Sequence, residues 1–178
     1  RGYGWEKLIS EMFCEEYWAE RQLETHIARF HNIYGPNGTW FGGREKAPAA
    51  MCRKVLEAQD SGDMRIEIWG DGEQTRSFCY IDDCLHGIDC IMHTDELIAT
   101  PINLGSSEMV SINQLVDIVE DIAGVKLERV YDLDAPKGVA GRNSDNTFIK
   151  QVLGWEPNLP FKEGLKRTYD WIEQQYND

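Results

Sequence analysis

The chain has 178 residues, of which 42% are hydrophobic, and carries a formal net charge of −13 at pH 7. That length and apolar content suffice for one sizeable core. The negative charge argues against a nucleic-acid partner, because a phosphate backbone attracts a basic surface. No apolar run approaches the ~18 residues of a membrane span and no signal peptide is evident, so we expect a cytoplasmic protein without a membrane partner.

The first predicted element is a helix over residues 4–19, whose apolar side chains recur at helical spacing. The side chains expected on its buried side are Met12, Phe13 and Tyr17. Tyr3 and Lys7 lie four residues apart and therefore share one face, about one turn from each other. An ammonium held near a phenol favours the phenolate, a base for a substrate hydroxyl. The same spacing also suits an ordinary half-exposed helix face.

A short apolar strand is predicted at residues 25–30, of a kind that suits a parallel sheet and needs neighbouring strands. We expect those neighbours to be absent from this chain, as in a truncated sheet. A Gly- and Pro-rich loop follows, in which Gly42 and Gly43 are either sites of close backbone approach or hinges of a lid. The cations in or near the Gly-rich loops are Arg44, Lys46, Arg53, Lys54, Arg76 and Arg142. They indicate a local anion site on an otherwise acidic protein, although surface loops often carry such residues.

The remaining elements alternate between helices and short strands, which favours an α/β fold. A helix is predicted at 47–58, and a strand at 65–69 is expected to turn at Gly70-Asp71-Gly72 into a second strand at 76–81. The later elements are a helix that ends at about 92 and has Asp82 as its N-cap, a strand at 102–104, a helix at 112–123 between Ser111 and Gly124, a strand at 127–131 and helices at 145–153 and 161–175.

Cysteine and histidine spacing gives no sign of a metal centre. The five cysteines include no Cys-x-x-Cys pair, and the four histidines do not cluster at ligand spacing, so we predict neither a metal site nor a disulfide framework. Trp69 and Trp155 are expected in the core rather than stacked on a ligand base.

A Tyr-x-x-x-Lys helix that leads into Arg-Phe-x-Asn-x-Tyr-Gly-Pro at 29–36 resembles the extended short-chain dehydrogenase/reductase family of nucleotide-sugar epimerases and dehydratases. The blocks at 35–50, 69–78 and 141–146 resemble the branch that inverts C3 and C5 of a GDP-sugar, GDP-mannose, through transient oxidation at C4. The resemblance implies an α/β fold in which residues 1–34 are the terminal helix and strand of a Rossmann-type NAD-binding domain. Residues 35–178 would be mainly a substrate-binding lobe.

In this family the Gly-rich dinucleotide loop comes before the Tyr-x-x-x-Lys helix, and neither G-x-x-G-x-x-G nor G-x-G-x-x-G occurs among the 178 residues. The resemblance therefore implies the C-terminal part of a larger NAD-dependent epimerase, a homodimer in its full-length form. We expect the chain alone to be inactive, to bind NAD weakly, and to aggregate through the unpaired edge of the strand at 25–30.

The resemblance also assigns roles to individual residues. Tyr3 would be the catalytic acid/base, and Lys7 would favour its phenolate and bind the nicotinamide ribose of NAD. Lys46 would be one member of the acid/base pair at C3 and C5, whose other member is a cysteine that none of the five cysteines here matches. The implied substrate-binding residues are Asn32, Glu45, Lys46, Ala47, Lys54, Gln74, Thr75, Arg76 and Arg142.

Other interpretations stay open. A nucleotide-sugar 4-epimerase or 4,6-dehydratase would share Tyr3, Lys7 and Asn32 but would need no lysine at position 46, so the run at 42–48 favours the 3,5-inverting branch. A non-catalytic fragment or binding module is the alternative from another class. Asn32 could also simply cap a turn.

Overall fold

The computed structural model describes residues 2–136 and 138–178, which form a mixed α/β fold, as predicted. The helices are α1 Gly2–Arg21, α2 Ala47–Ser61, α3 Ile81–Met92, α4 Ile112–Ala123, α5 Thr147–Leu153 and α6 Phe161–Asn177. The strands are β1 Ile27–Phe30, β2 Ile33–Tyr34, β3 Arg65–Trp69, β4 Thr75–Ser77, β5 Cys79–Tyr80, β6 Pro101–Leu104, β7 Met109–Ser111, β8 Glu128–Asp132 and β9 Gly141–Arg142. None of the helices in these two ranges is both long and apolar enough to cross a bilayer.

The described strands pair in four small sheets, and most of the pairings are parallel. β1 pairs with β6, β2 with β5 and β3 with β8, each in parallel. β4 lies between β7, to which it is antiparallel, and β9, to which it is parallel. The expectation that β1 lacks a neighbouring strand in this chain is wrong, because β6, about 70 residues later, pairs with it and brings residues beyond 34 into the same sheet.

The predicted hairpin across Gly70–Gly72 is wrong, because β3 pairs with β8 and not with the strand that follows it. The Gly72 carbonyl accepts a hydrogen bond from the backbone N–H of Asn113 at 3.0 Å, and the Gln74 carbonyl accepts one from Ile112 at 3.2 Å. These bonds place the segment after β3 beside the start of α4. The predicted second strand is also divided, into β4 and β5. The predicted N-cap of the next helix, Asp82, is wrong as well, because α3 has Tyr80 as its N-cap and Asp82 lies in its first turn.

The buried side predicted for α1 is wrong as well, since no residue of this helix is buried. Met12, Phe13 and Tyr17 are each more than half exposed. Two hydrogen bonds connect α1 to β1 and to the residues before it. Arg29 Nε donates to Glu11 at 2.8 Å, and the Thr25 hydroxyl donates to the Cys14 carbonyl at 3.1 Å. Helical periodicity predicts which face is apolar, but no described element covers that face.

Two apolar clusters hold the described residues together. The larger one lies where α2, α4 and α6 meet and includes the fully buried Val55, Leu115 and Leu165. The smaller one joins α3 and α5 to β6 and includes Ile91, Leu104 and Ile149. Because one side of α2 packs into the larger cluster, the position of its other side is also fixed.

Candidate active site

A cleft of about 760 Å³ opens beside α2, and this volume lies in the ~300–1,000 Å³ range of small-molecule sites. Its walls come from the loop before α2, from α2 itself, from the end of β3 and from β4. Seven of the predicted substrate-binding residues line it: Asn32, Glu45, Lys46, Ala47, Lys54, Gln74 and Arg76. Thr75 and Arg142 are not among the lining residues.

The lysines reach the cleft because of helical spacing. Lys46 is the N-cap of α2, and Ala50 and Lys54 follow at intervals of four residues on the same face. Cys52 and Val55, on the other face, are completely buried. The Lys54 ammonium donates to the Glu67 carbonyl at 2.9 Å, which ties α2 to β3 beneath the cleft.

The Glu45 side chain lines the cleft but is only 7% exposed, because its carboxylate pairs with Arg53 at 3.0 Å. Burial by itself raises the pKa of this carboxyl, but hydrogen bonds from backbone N–H groups and from Arg53 outweigh burial and hold the pKa below its usual value. Glu45 is therefore charged at neutral pH, and its carboxylate is bound by groups of the protein itself.

The opposite wall is built around β4. The Gln74 amide donates to the Trp69 carbonyl at 2.9 Å, and the Arg76 guanidinium donates to the Thr75 carbonyl at 2.6 Å. Arg76 stands directly opposite Arg142 in the β4–β9 register, so two guanidinium groups start from neighbouring backbone positions. Arg142 lies at the edge of this wall.

Asn32 connects the end of β1 to the wall of the cleft that is built around β4. It follows β1 in a left-handed conformation, with φ of 41°, and its side-chain amide donates to the Ser77 carbonyl at 3.0 Å. Its own carbonyl accepts a hydrogen bond from Cys79 at 3.1 Å. The residue therefore holds the carboxyl end of β1 against the connection between β4 and β5, the end of a parallel strand at which ligands of α/β proteins bind.

Sequence reasoning left Trp69 out of the site and named Arg53 only among the cations near the Gly-rich loops, yet both residues line the cleft. The expectation that Trp69 is a core residue is wrong, since it is 54% exposed and lines the cleft. In β3 only Ile66 and Ile68 are buried, so the alternation already placed Trp69 on the open face of the strand. Arg53 lies seven residues after Lys46, about two helical turns, a spacing that predicts the same face of α2.

The charges of the cleft suit an anionic, polar ligand. Four cationic side chains line it, and both carboxylates that line it, Glu45 and Glu57, face Arg53. The other lining cations are Lys46, Lys54 and Arg76. Arg53 Nε and Gln74 Oε1 are buried without a hydrogen-bond partner among the described residues.

Tyr3 and Lys7 lie close together but outside this cleft. The Lys7 ammonium is 5.3 Å from the centroid of the Tyr3 ring, and Tyr3 is 72% exposed. Neither residue lines the cleft, so the structure does not by itself bring the pair to Lys46. An accessible phenol beside an ammonium fits the nicotinamide-ribose end of NAD, whereas no Gly-rich motif for its diphosphate occurs in the chain.

Comparisons with known proteins place the chain in a family. The profile of the NAD dependent epimerase/dehydratase family matches residues 1–105. The GDP-mannose 3,5-epimerase of Arabidopsis thaliana is 52% identical over 173 residues, which are 97% of this chain and 44% of that protein.

Two solved structures have similar folds and are also about twice as long as this chain. The UDP-glucose 4-epimerase of Thermotoga maritima, solved with UDP-glucose, is 30% identical with a TM-score of 0.86 over 98% of this chain and 54% of that one. The UDP-glucuronic acid 4-epimerase of Bacillus cereus, solved with UDP-glucuronic acid and NAD, is 30% identical with a TM-score of 0.82 over 98% and 53%. The chain belongs to the NAD dependent epimerase/dehydratase family.

Proposed function

We propose that this chain provides the substrate-binding lobe and part of the catalytic machinery of an NAD-dependent epimerase that inverts C3 and C5 of GDP-mannose. The observation that carries the proposal is the cleft, which gathers the residues that the 3,5-inverting branch would use on its substrate. The 52% identity to a GDP-mannose 3,5-epimerase supports this substrate over the UDP-sugars of the more distant 4-epimerases. Because the chain spans about half the length of these relatives, the activity is proposed for an enzyme that contains this chain and a dinucleotide-binding half.

In this proposal residues 1–34 are the terminal helix and strand of the NAD-binding domain, and residues 35–178 are mainly the substrate lobe. β6 then continues the sheet that β1 belongs to. The apolar face of α1 would be covered in a full-length homodimer. The five cysteines are all free thiols, which suits the reducing cytoplasm in which we place the enzyme.

The diphosphate of the GDP-sugar would lie against Lys54, Arg76 and Arg142. A guanidinium can bind two phosphate oxygens at once, while an ammonium acts as a point charge. Gln74 and Thr75 would add hydrogen bonds beside the diphosphate, and Asn32 would bind near the sugar. The exposed ring of Trp69 offers an apolar surface for the guanine base or the ribose.

Tyr3 and Lys7 would act at C4 of the hexose. NAD, when bound, supplies the two-electron oxidation of this carbon and the reduction that restores it. Tyr3 would take the proton of the C4 hydroxyl and later return it, and Lys7 would stabilise the phenolate and bind the nicotinamide ribose. The proximity of the Lys7 ammonium to the Tyr3 ring supports this pairing.

Lys46 would move a proton at C3 and C5. A ketone at C4 acidifies the protons on both neighbouring carbons, because the electrons left behind are shared with the carbonyl as an enolate, which at C3 is an enediolate. Inversion follows when a proton leaves one face and another arrives on the opposite face. Lys46 would serve one face, with a cysteine from outside this chain on the other, and Glu45 and Ala47 would line the sugar pocket beside it.

Replacement of Lys46 tests the proposal. In the active enzyme, Lys46→Ala should abolish uptake of solvent deuterium at C3 and C5 of GDP-mannose while reduction of bound NAD, which reports C4 oxidation, stays detectable. Lys162→Ala is the matched control, because Lys162 is an exposed lysine of α6 that pairs with Asp121 away from the cleft. Unchanged deuterium uptake in Lys46→Ala would show that this lysine does not act on the sugar.

A further inference from the structure

We infer that Arg53 is a positioning residue, which holds the loop before α2 through Glu45 and thereby sets the place of Lys46 in the cleft. The inference rests on the proposed role of Lys46 and assigns a task to a residue that would not itself touch the reacting atoms. In this role the Glu45 carboxylate holds the loop in place and does not bind the sugar.

A continuous set of hydrogen bonds connects α2 to this loop. Arg53 Nη1 lies 2.7 and 2.6 Å from the two carboxylate oxygens of Glu57, one turn further along α2. Arg53 Nη2 donates to Glu45 Oε1 at 3.0 Å, and Glu45 Oε2 accepts the backbone N–H of Gly43 at 2.7 Å. The guanidinium therefore bridges the helix and the loop through one carboxylate.

The loop needs such a tie because little else holds it. Gly42 and Gly43 both have left-handed φ values, of 91° and 82°, and no heavy atom beyond the adjacent residues comes within 4 Å of the place where a Cβ would stand on either. Phe41, just before them, is exposed. Lys46, the N-cap of α2, makes no capping hydrogen bond through its side chain. Its position therefore depends on the backbone at 43–46, which Glu45 fixes.

Burial makes the Arg53–Glu45 pair stronger than an ordinary surface ion pair. The side chains are 20% and 7% exposed, whereas water and salt screen the attraction between two exposed charges. A lysine at position 53 would carry the charge but not the planar fork that reaches two carboxylates at once. Arg53→Lys is therefore expected to restore part of the function that Arg53→Met loses.

The test uses the active enzyme with GDP-mannose. A reacting group displaced by about 1 Å loses about 100-fold in rate, so Arg53→Met should lower deuterium uptake at C3 and C5 by about 10- to 100-fold. KM should change by less than about threefold and reduction of bound NAD should persist, because neither the diphosphate contacts nor Tyr3 is touched. Arg53→Lys should recover part of the uptake. A general loss of stability would instead lower deuterium uptake and NAD reduction together.

Coupling to Glu45 is tested by a double-mutant cycle. Glu45→Gln should reduce uptake much as Arg53→Met does, and the double variant should be no worse than either single one, since both remove the same link. The control is Arg65→Met, which removes an exposed arginine that pairs with Asp63 outside the cleft and should leave uptake unchanged. Losses that multiply in the double variant would overturn the inference.

The remaining outcomes are also decisive. A folded Arg53→Met variant with wild-type uptake overturns the inference, and so does an equal loss of uptake and of NAD reduction. If Arg53→Met does not fold, the comparison of Arg53→Lys with Glu45→Gln decides in the same way. If Lys46→Ala abolishes uptake and Arg53→Met leaves it at the wild-type level, only this inference fails; if Lys46→Ala leaves uptake unchanged, the proposed function itself fails.

Discussion

Replacement of Glu120 tests how α4 is fixed to β8. Glu120 is only 2% exposed in spite of its charge. One oxygen accepts the backbone N–H of Leu127 at 3.0 Å, and the other lies 2.5 Å from the Lys126 ammonium and 3.3 Å from the Arg129 guanidinium. The carboxylate therefore connects the end of α4 to the residues that lead into β8.

Removal of one partner of a fully buried ion pair costs about 3–5 kcal/mol, which is the upper limit for Glu120→Ala. The cost here is smaller, because Lys126 is 73% exposed and Arg129 keeps Asp117 as a partner. What remains is the buried N–H of Leu127, left without an acceptor at about 1–3 kcal/mol, together with lost packing. We expect the free energy of unfolding to fall by about 2–3 kcal/mol.

Urea unfolding followed by circular dichroism measures this change. With a slope of about 2 kcal/mol per M, the midpoint should fall by about 1–1.5 M. Asp117→Ala is the matched control, because Asp117 contacts the same two cations but its side chain is 54% exposed, so it should cost less than about 1 kcal/mol. Equal midpoints for the two variants would refute the assignment of the effect to burial.

Two further predictions concern the carboxyl end of β1 and the turn after β3. Burial first, and the charge of Arg142 second, lower the pKa of His31 from its ordinary 6.5, so folding favours the neutral ring. The stability that depends on neutral His31 is complete above about pH 6.5 and is lost as the pH falls below that value. On acidification the temperature of thermal unfolding should therefore fall less in His31→Gln than in the wild type. Gly72→Ala should destabilise by about 1–3 kcal/mol and weaken nucleotide-sugar binding, because its φ is 75° and the new Cβ would stand 2.3 Å from the Asn113 side chain. Gly62→Ala, with a φ of 71° and open space, isolates the backbone part of that change, so equal losses in both variants would contradict the clash.

Local signals predicted the elements whose ends are set by their own residues. α4 begins after Ser111, which forms a capping box with Gln114, and ends before Gly124, as the cap residues indicated. β3 has the predicted bounds, because alternation between buried and exposed side chains marks a strand directly. The strand partner of β3 could not be predicted in the same way, because β8 lies about 60 residues away and a Gly-x-Gly turn is compatible with several directions of the chain.

The residues of the cleft were predicted by resemblance and not by periodicity. Lys46 and Arg76 come from distant segments, and only the packing of α2 against β3, with β4 turned toward it, brings both to one cleft. Trp69 could have been found, since it continues the exposed alternation of β3. The partner of Arg53 could not, because Glu57 on the helix was an equally good choice until the loop placed Glu45 beside it.

A crystal structure of the active enzyme with GDP-mannose and NAD tests the central claim most directly. The account predicts one hexose bound in the cleft, with the Tyr3 hydroxyl about 2.6–3.2 Å from the C4 oxygen and the Lys46 ammonium at similar distance from the C3–C5 edge of the ring. A hexose bound outside the cleft, or one that Tyr3 and Lys46 cannot reach together, would contradict it.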